Sequence, residues 1–144
     1  MTIVQGQTTA FKVNVLSGLE NFAAGTSYTY KIALYTASAT LNNSTTTYAS
    51  TLNEVVGTGY TAGGKTLTIA NPPTGDTTNN VAWISFNNVT WNPASFTCRG
   101  ALIYNSTTGA AVAVLDFGAD KTATSTFTVT FPTATSTTAV LTIS

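Results

Sequence analysis

Apolar and polar residues alternate in short runs along most of this chain, with Thr set against Val, Ile, Tyr and Phe. A period of two marks half-buried β-strands. The pattern predicts strands over residues 11–16, 28–36, 54–58, 65–70, 81–86, 96–104, 111–117, 126–131 and 139–143, the third of them weak. Between them LNNSTTT, TAGG, NPPTGDTTNN, NSTTG and GADK read as turns. No window holds a 3.6-residue apolar period for three turns, and only residues 19–24 offer a short helical turn, so helix is expected to stay under about a tenth of the chain. About eight or nine strands at this spacing predict one domain over residues 1–144, all-β, an antiparallel β sandwich that is jelly-roll-like, with an Ig-like arrangement as the other choice. Trp83 and Phe86 fall on opposite faces of one strand, and size favours Trp83 for the core.

The segment from Phe96 to Phe117 is apolar in both phases. In regular strands Phe96, Cys98, Leu102 and Tyr104 share one face, while Arg99, Ala101 and Ile103 share the other. Pairing Tyr104 with Ala111 sets Arg99 opposite Asp116, in a strip completed by Val112 and Val114. A hairpin apolar on both faces has both faces covered. The cover is another part of the chain or another subunit, and the sparse charge favours a subunit. Arg99, Ala101, Ile103, Val112, Val114 and Asp116 are therefore the candidate subunit interface, with the ion pair buried inside it.

Charge changes the picture most. Five basic and five acidic residues make 7% of 144, where an average domain has about 25%. Surface scaling gives roughly 7,000 Å² of folded area, or about one charge per 700 Å². Net charge is zero, so little self-repulsion keeps copies apart, and the chain suits an assembly. The basic residues stand singly, which argues against nucleic acid as a partner. The N-terminus has no basic segment or apolar stretch of signal-peptide length, and the longest apolar run is 110–115, so neither a secretory signal nor a membrane span is expected. The single Cys98, in an apolar stretch of a chain without His, reads as a small core residue.

One motif invites a different reading. GYTAGGKT, residues 59–66, fits the phosphate-loop pattern of G, four residues, G, K and S or T. Such a loop works when a strand feeds it and a helix leaves it, so that backbone N–H groups and the helix dipole meet the phosphate. Here LTIANPPTGD follows, alternating and then broken by two prolines, so the loop opens onto a strand and reads as a Gly-rich turn. Asp116-Phe117-Gly118 spells a kinase metal motif with no catalytic-loop partner. Asp116 and Asp120 are the best-placed carboxylate pair, and they read as a capped turn. Without His, no Ser or Thr has the usual base. No catalytic residue, metal site or cofactor is predicted.

The ordered blocks KIALYTASATL, NEVVGTGYTAGGKTLT, WISFNNVTW, RGALIYN, AVAVLDFGADK and FTVTFP, from about Lys31 to the C-terminus, resemble a group of small structural proteins of tailed bacteriophages. The resemblance implies a jelly-roll-like β sandwich and a role as capsid cement or decoration, and it carries no catalytic residue. The expected partners are the major capsid protein and the chain itself, as dimer or trimer. The expected location is the capsid surface of the virion, after synthesis in the bacterial host cytoplasm. The alternative is a tail, fibre or host-recognition binding module.

Overall fold

The computed structural model describes residues 2–144. Ten strands and one helix follow in the order β1 (Gly6–Gln7), α1 (Thr9–Leu16), β2 (Tyr30–Tyr35), β3 (Lys65–Thr66), β4 (Ile69–Asp76), β5 (Val81–Phe86), β6 (Val89–Trp91), β7 (Phe96–Asn105), β8 (Ala111–Ala123), β9 (Phe127–Val129) and β10 (Leu141–Ile143). The fold is mostly β, and all its strand pairs are antiparallel. A five-stranded sheet runs β1-β8-β7-β2-β3, beside a three-stranded sheet β10-β5-β4 and a two-stranded ribbon β6-β9.

Most apolar burial lies on the side of the large sheet that meets the two smaller ones. Ile32, Leu34, Ala101 and Ile103 of the large sheet join Ile84 and Phe86 of β5, Leu141 of β10, and Val89, Trp91 and Val129 of the ribbon in one cluster. Trp91 is almost wholly buried, and Phe22 stacks on Tyr30 at 4.3 Å between centroids. The opposite face of β2, β7 and β8 is covered by residues 2–5 and the long 36–64 segment. Ile3, Ala39 and Leu41 there pack with Ala33, Tyr35, Leu102, Tyr104, Ala111 and Val114 in a second cluster. The hairpin is thus dry on both faces, and the cover is the chain itself.

Three expectations are corrected. Residues 11–16 form part of α1, not a strand. Thr8 caps the helix, its hydroxyl accepting from the Phe11 N–H at 3.0 Å, and this satisfies a donor that a helix start otherwise leaves open. Phe11 and Val15, four apart, then fall on the side facing the core. Trp83 is only half-buried, and Phe86 with Ile84 points to the core instead. The NPPTGD turn is largely strand: β4 is an edge strand, and Pro72 and Pro73 fall within its second register shift, between Asn71 and Thr74, where missing N–H donors do least harm.

Tyr104 pairs with Ala111 as the pattern predicts, but strict alternation fails at two bulges. Between Cys98 and Gly100 the partners jump from Lys121 to Asp116, so GADK sits inside β8 as an irregular insertion with Gly118 at φ 78°. A second shift lies between Ile103 and Tyr104. Each exchanges the faces beyond it. As a result Phe96 and Cys98 share a face with Ala101 and Ile103, whereas Leu102 and Tyr104 face the second cluster.

Candidate functional site

The loop at residues 59–66 is built by close approach of backbones. Gly59 (φ 84°) and Gly64 (φ 74°) occupy the left-handed region. A Cβ on Gly59 would lie 1.8 Å from the Pro93 carbonyl oxygen, and one on Gly64 1.8 Å from that of Ile32. Only glycine fits either place. The loop leads into β3 and not into a helix. Lys65 Nζ donates to the Thr90 carbonyl at 2.6 Å and stands 5.9 Å from the centre of the Trp91 ring.

The anion the loop holds is the chain's own. Glu54 is buried, and its Oε1 accepts from the Gly63 N–H at 2.8 Å and from the Tyr60 hydroxyl at 2.6 Å. Its Oε2 accepts from the Tyr48 hydroxyl at 2.7 Å. Around it, the Leu34 N–H donates to the Tyr60 hydroxyl at 2.8 Å, and the Tyr104 hydroxyl donates to the Gly63 carbonyl at 2.7 Å. Tyr48 and Tyr104 stack at 4.5 Å. Burial first, then the Glu54 carboxylate, pushes the Tyr104 hydroxyl up to about 12 and those of Tyr48 and Tyr60 well above their usual range, so all three remain donors. A carboxylate in this cradle leaves the Gly63 N–H with nothing to offer a phosphate.

The six residues of the candidate interface come together only in part. Arg99 and Asp116 do pair, Nε to Oδ1 at 3.1 Å, although Asp116 sits across from Gly100. Their side chains are 32% and 26% exposed, which makes this a partly hydrated surface pair. Asp116 also accepts from the Gly118 N–H at 2.8 Å, and that bond, then Arg99, holds its carboxyl below the usual range. Ala101, Ile103, Val112 and Val114 are fully buried inside the chain and divided between its two clusters. They present no surface to a partner, so the strip is not a subunit interface. The bulges and the second cluster are the reason.

Other reactive groups are disposed as core or surface. Cys98 is buried, and burial pushes its thiol up to about 12, which makes it inert toward nucleophilic chemistry. Among the described residues no three His, Cys, Asp or Glu side chains gather as a metal site. Glu20 is the outlier. Its Oε2 accepts from the Tyr30 hydroxyl at 2.8 Å and from Asn105 Nδ2 at 3.1 Å, while its Oε1 is buried without a partner. Burial raises its pKa, against the pull of those hydrogen bonds. Nothing in the run GLENF signals this, because Asn105 is 85 residues away.

The feature that sequence reasoning missed is an apolar face made by α1 and β10. Leu16 and Ile143 are exposed there, Leu16 at 90%. A groove of about 520 Å³ runs between the two elements, lined by Phe11, Lys12, Val15, Leu16 and Ile143 among others. Next to it lies a pocket of about 220 Å³ whose walls include Phe11, Val15, Phe22, Trp83 and Ile143, with Glu20 at its lining. The two hollows share Phe11, Val15, Thr142 and Ile143. Reading residues 11–16 as a strand put Leu16 inside a sheet and hid this face. No helix among the described residues is long and apolar enough to cross a membrane. No family model matches the chain, and neither a curated protein nor a solved structure does.

Proposed function

We propose that this chain is a structural protein of a bacteriophage virion, a capsid cement or decoration protein that stabilises the head by binding across capsid subunits. The observation that carries the reading is the character of the surface: 7172 Å² with at most ten charges, one of which, Glu54, is withdrawn into the interior. Large apolar side chains stand on that surface at Leu16, Val13, Leu19, Leu52 and Val56. Such a surface gains by contact and lacks the charge that keeps free monomers apart. Small patches repeated over many copies add up to strong attachment. The chain is not an enzyme in this reading: its nucleotide-like loop is filled by Glu54 and Lys65 is engaged. On this reading the fold is a jelly-roll-like sandwich; its antiparallel sheets and the resemblance of its blocks to small structural proteins of tailed phages support that. Its partners are the major capsid protein and further copies of itself, on the capsid surface.

The β4–β5 hairpin favours a second reading, a tail or host-recognition module. Most of β4 is exposed, and the connecting residues Thr77, Thr78, Asn79 and Asn80 are polar and exposed, as in a loop that touches a glycan. Copy number separates the two. Quantitative gel analysis of purified virions is expected to give hundreds of copies per particle, whereas a handful would move the chain to the tail and none would remove it from the virion.

A further inference from the structure

Leu16 is a knob and the neighbouring pocket is a hole. At 90% exposure Leu16 leaves almost its whole side chain in water beside the groove, while the 220 Å³ pocket next to it opens among Phe22, Trp83 and Ile143. The pocket exceeds the roughly 150 Å³ cavity that one large-to-small core substitution can leave, so a leucine side chain fits. We propose that the α1–β10 face is an isologous contact between two copies of this chain, in which Leu16 of each copy seats in the apolar pocket of the other.

Two observations point to a second copy as the occupant. A two-fold contact needs one surface that carries both members of each pair, and here knob and hole lie side by side, joined through Phe11, Val15 and Ile143. A two-fold contact also sets a surface against itself, which a charged patch opposes by self-repulsion. The only charged side chains lining the two hollows are Lys12 in the groove and Glu20 in the pocket. The inference deepens the assembly reading and rests on it for its role in a particle, but the two fail separately: virion copy number tests one and mass in solution the other.

The test is sedimentation equilibrium on the full chain over a wide concentration range, with Leu16→Asp, Ile143→Asp and Val56→Asp variants. Val56 is 94% exposed and lies outside the α1–β10 face, so its variant controls for added charge. The parent is expected to pass from one chain to two as concentration rises. Leu16→Asp and Ile143→Asp should each weaken association by roughly tenfold or more, a hot-spot-sized loss, with Val56→Asp at the parent value. Leu16 touches little of the fold, so at concentrations where the parent is a single chain the variant's thermal midpoint should match the parent's. Should Leu16→Asp fail to fold, Ile143→Asp decides alone. A parent that stays monomeric throughout, face variants that associate like the parent, or an equal loss in Val56→Asp overturns the proposal.

Discussion

The loop around Glu54 and the face formed by α1 and β10 treat their surfaces in opposite ways. Around Glu54 every strong group has a partner: two tyrosine hydroxyls and the Gly63 N–H converge on the carboxylate, and the Tyr104 hydroxyl closes on the Gly63 carbonyl. At α1 and β10 the polar groups are few and apolar side chains stand in water. The first region carries the motif that looks functional and is satisfied within the chain. The second has no motif, and it is where free energy is left for a partner to recover. In this chain a partner is better sought where something is left uncovered than where a sequence pattern matches.

Breaking the filled loop should produce the largest effects. Gly64→Ala places a methyl 1.8 Å from the Ile32 carbonyl oxygen at φ 74°, so we expect a loss of about 4 kcal/mol or more, seen as an unfolded or barely folded chain in urea titration. Glu54→Gln keeps the shape but turns one acceptor into a donor facing donors. It should cost about 2–3 kcal/mol by the same titration, and a near-neutral result would mean that the cradle is not a network. Leu16→Asp, in contrast, should leave the urea midpoint unchanged at concentrations where the parent is a single chain and weaken only association.

Two carboxylates sharpen the comparison through pH. Burial raises the pKa of Glu20, so the folded chain holds that proton where the unfolded chain has released it, and stability falls as pH rises through this window. Glu20→Gln should remove that slope, gaining on the parent as pH rises above the ordinary glutamate range in thermal melts. Asp116 has the opposite sign: its lowered pKa contributes stability above the ordinary aspartate range that is lost as pH falls through the folded value. Because the pair with Arg99 is partly hydrated, Asp116→Asn should cost less than about 1 kcal/mol, and a loss of several would show that the pair is shielded from water in solution.

Much of the fold was legible in the alternation. Residues 81–86 were read to the residue as β5, the Tyr104–Ala111 pairing holds, and the hairpin is apolar on both faces. What alternation cannot show is an inserted residue. The bulges at Gly100 and Val112 exchange the faces, so a strip read as one surface is split between two cores. Nor does alternation identify the cover: the 36–64 segment, rich in turn residues, supplies Ala39, Leu41 and Tyr48 to the second cluster. α1 was lost because FKVNVL alternates as a strand does, and the cap at Thr8 outweighs that pattern. The glycine pattern at 59–66 was correctly read as a turn. Its partner Glu54 was invisible, since residues 54–58 form only isolated bridges at Glu54 and Thr58, not the expected strand, and a lone acid there carries no sign of three converging donors.

The central claim is that this charge-poor chain adds stability to a virion head. Its most direct test is to strip or omit the protein from the heads to which the proposal assigns it, add back purified protein, and follow DNA release on heating. The account predicts saturable binding at many copies per head and a higher release temperature on add-back. Heads that neither bind the protein nor gain any heat resistance from it would contradict the account.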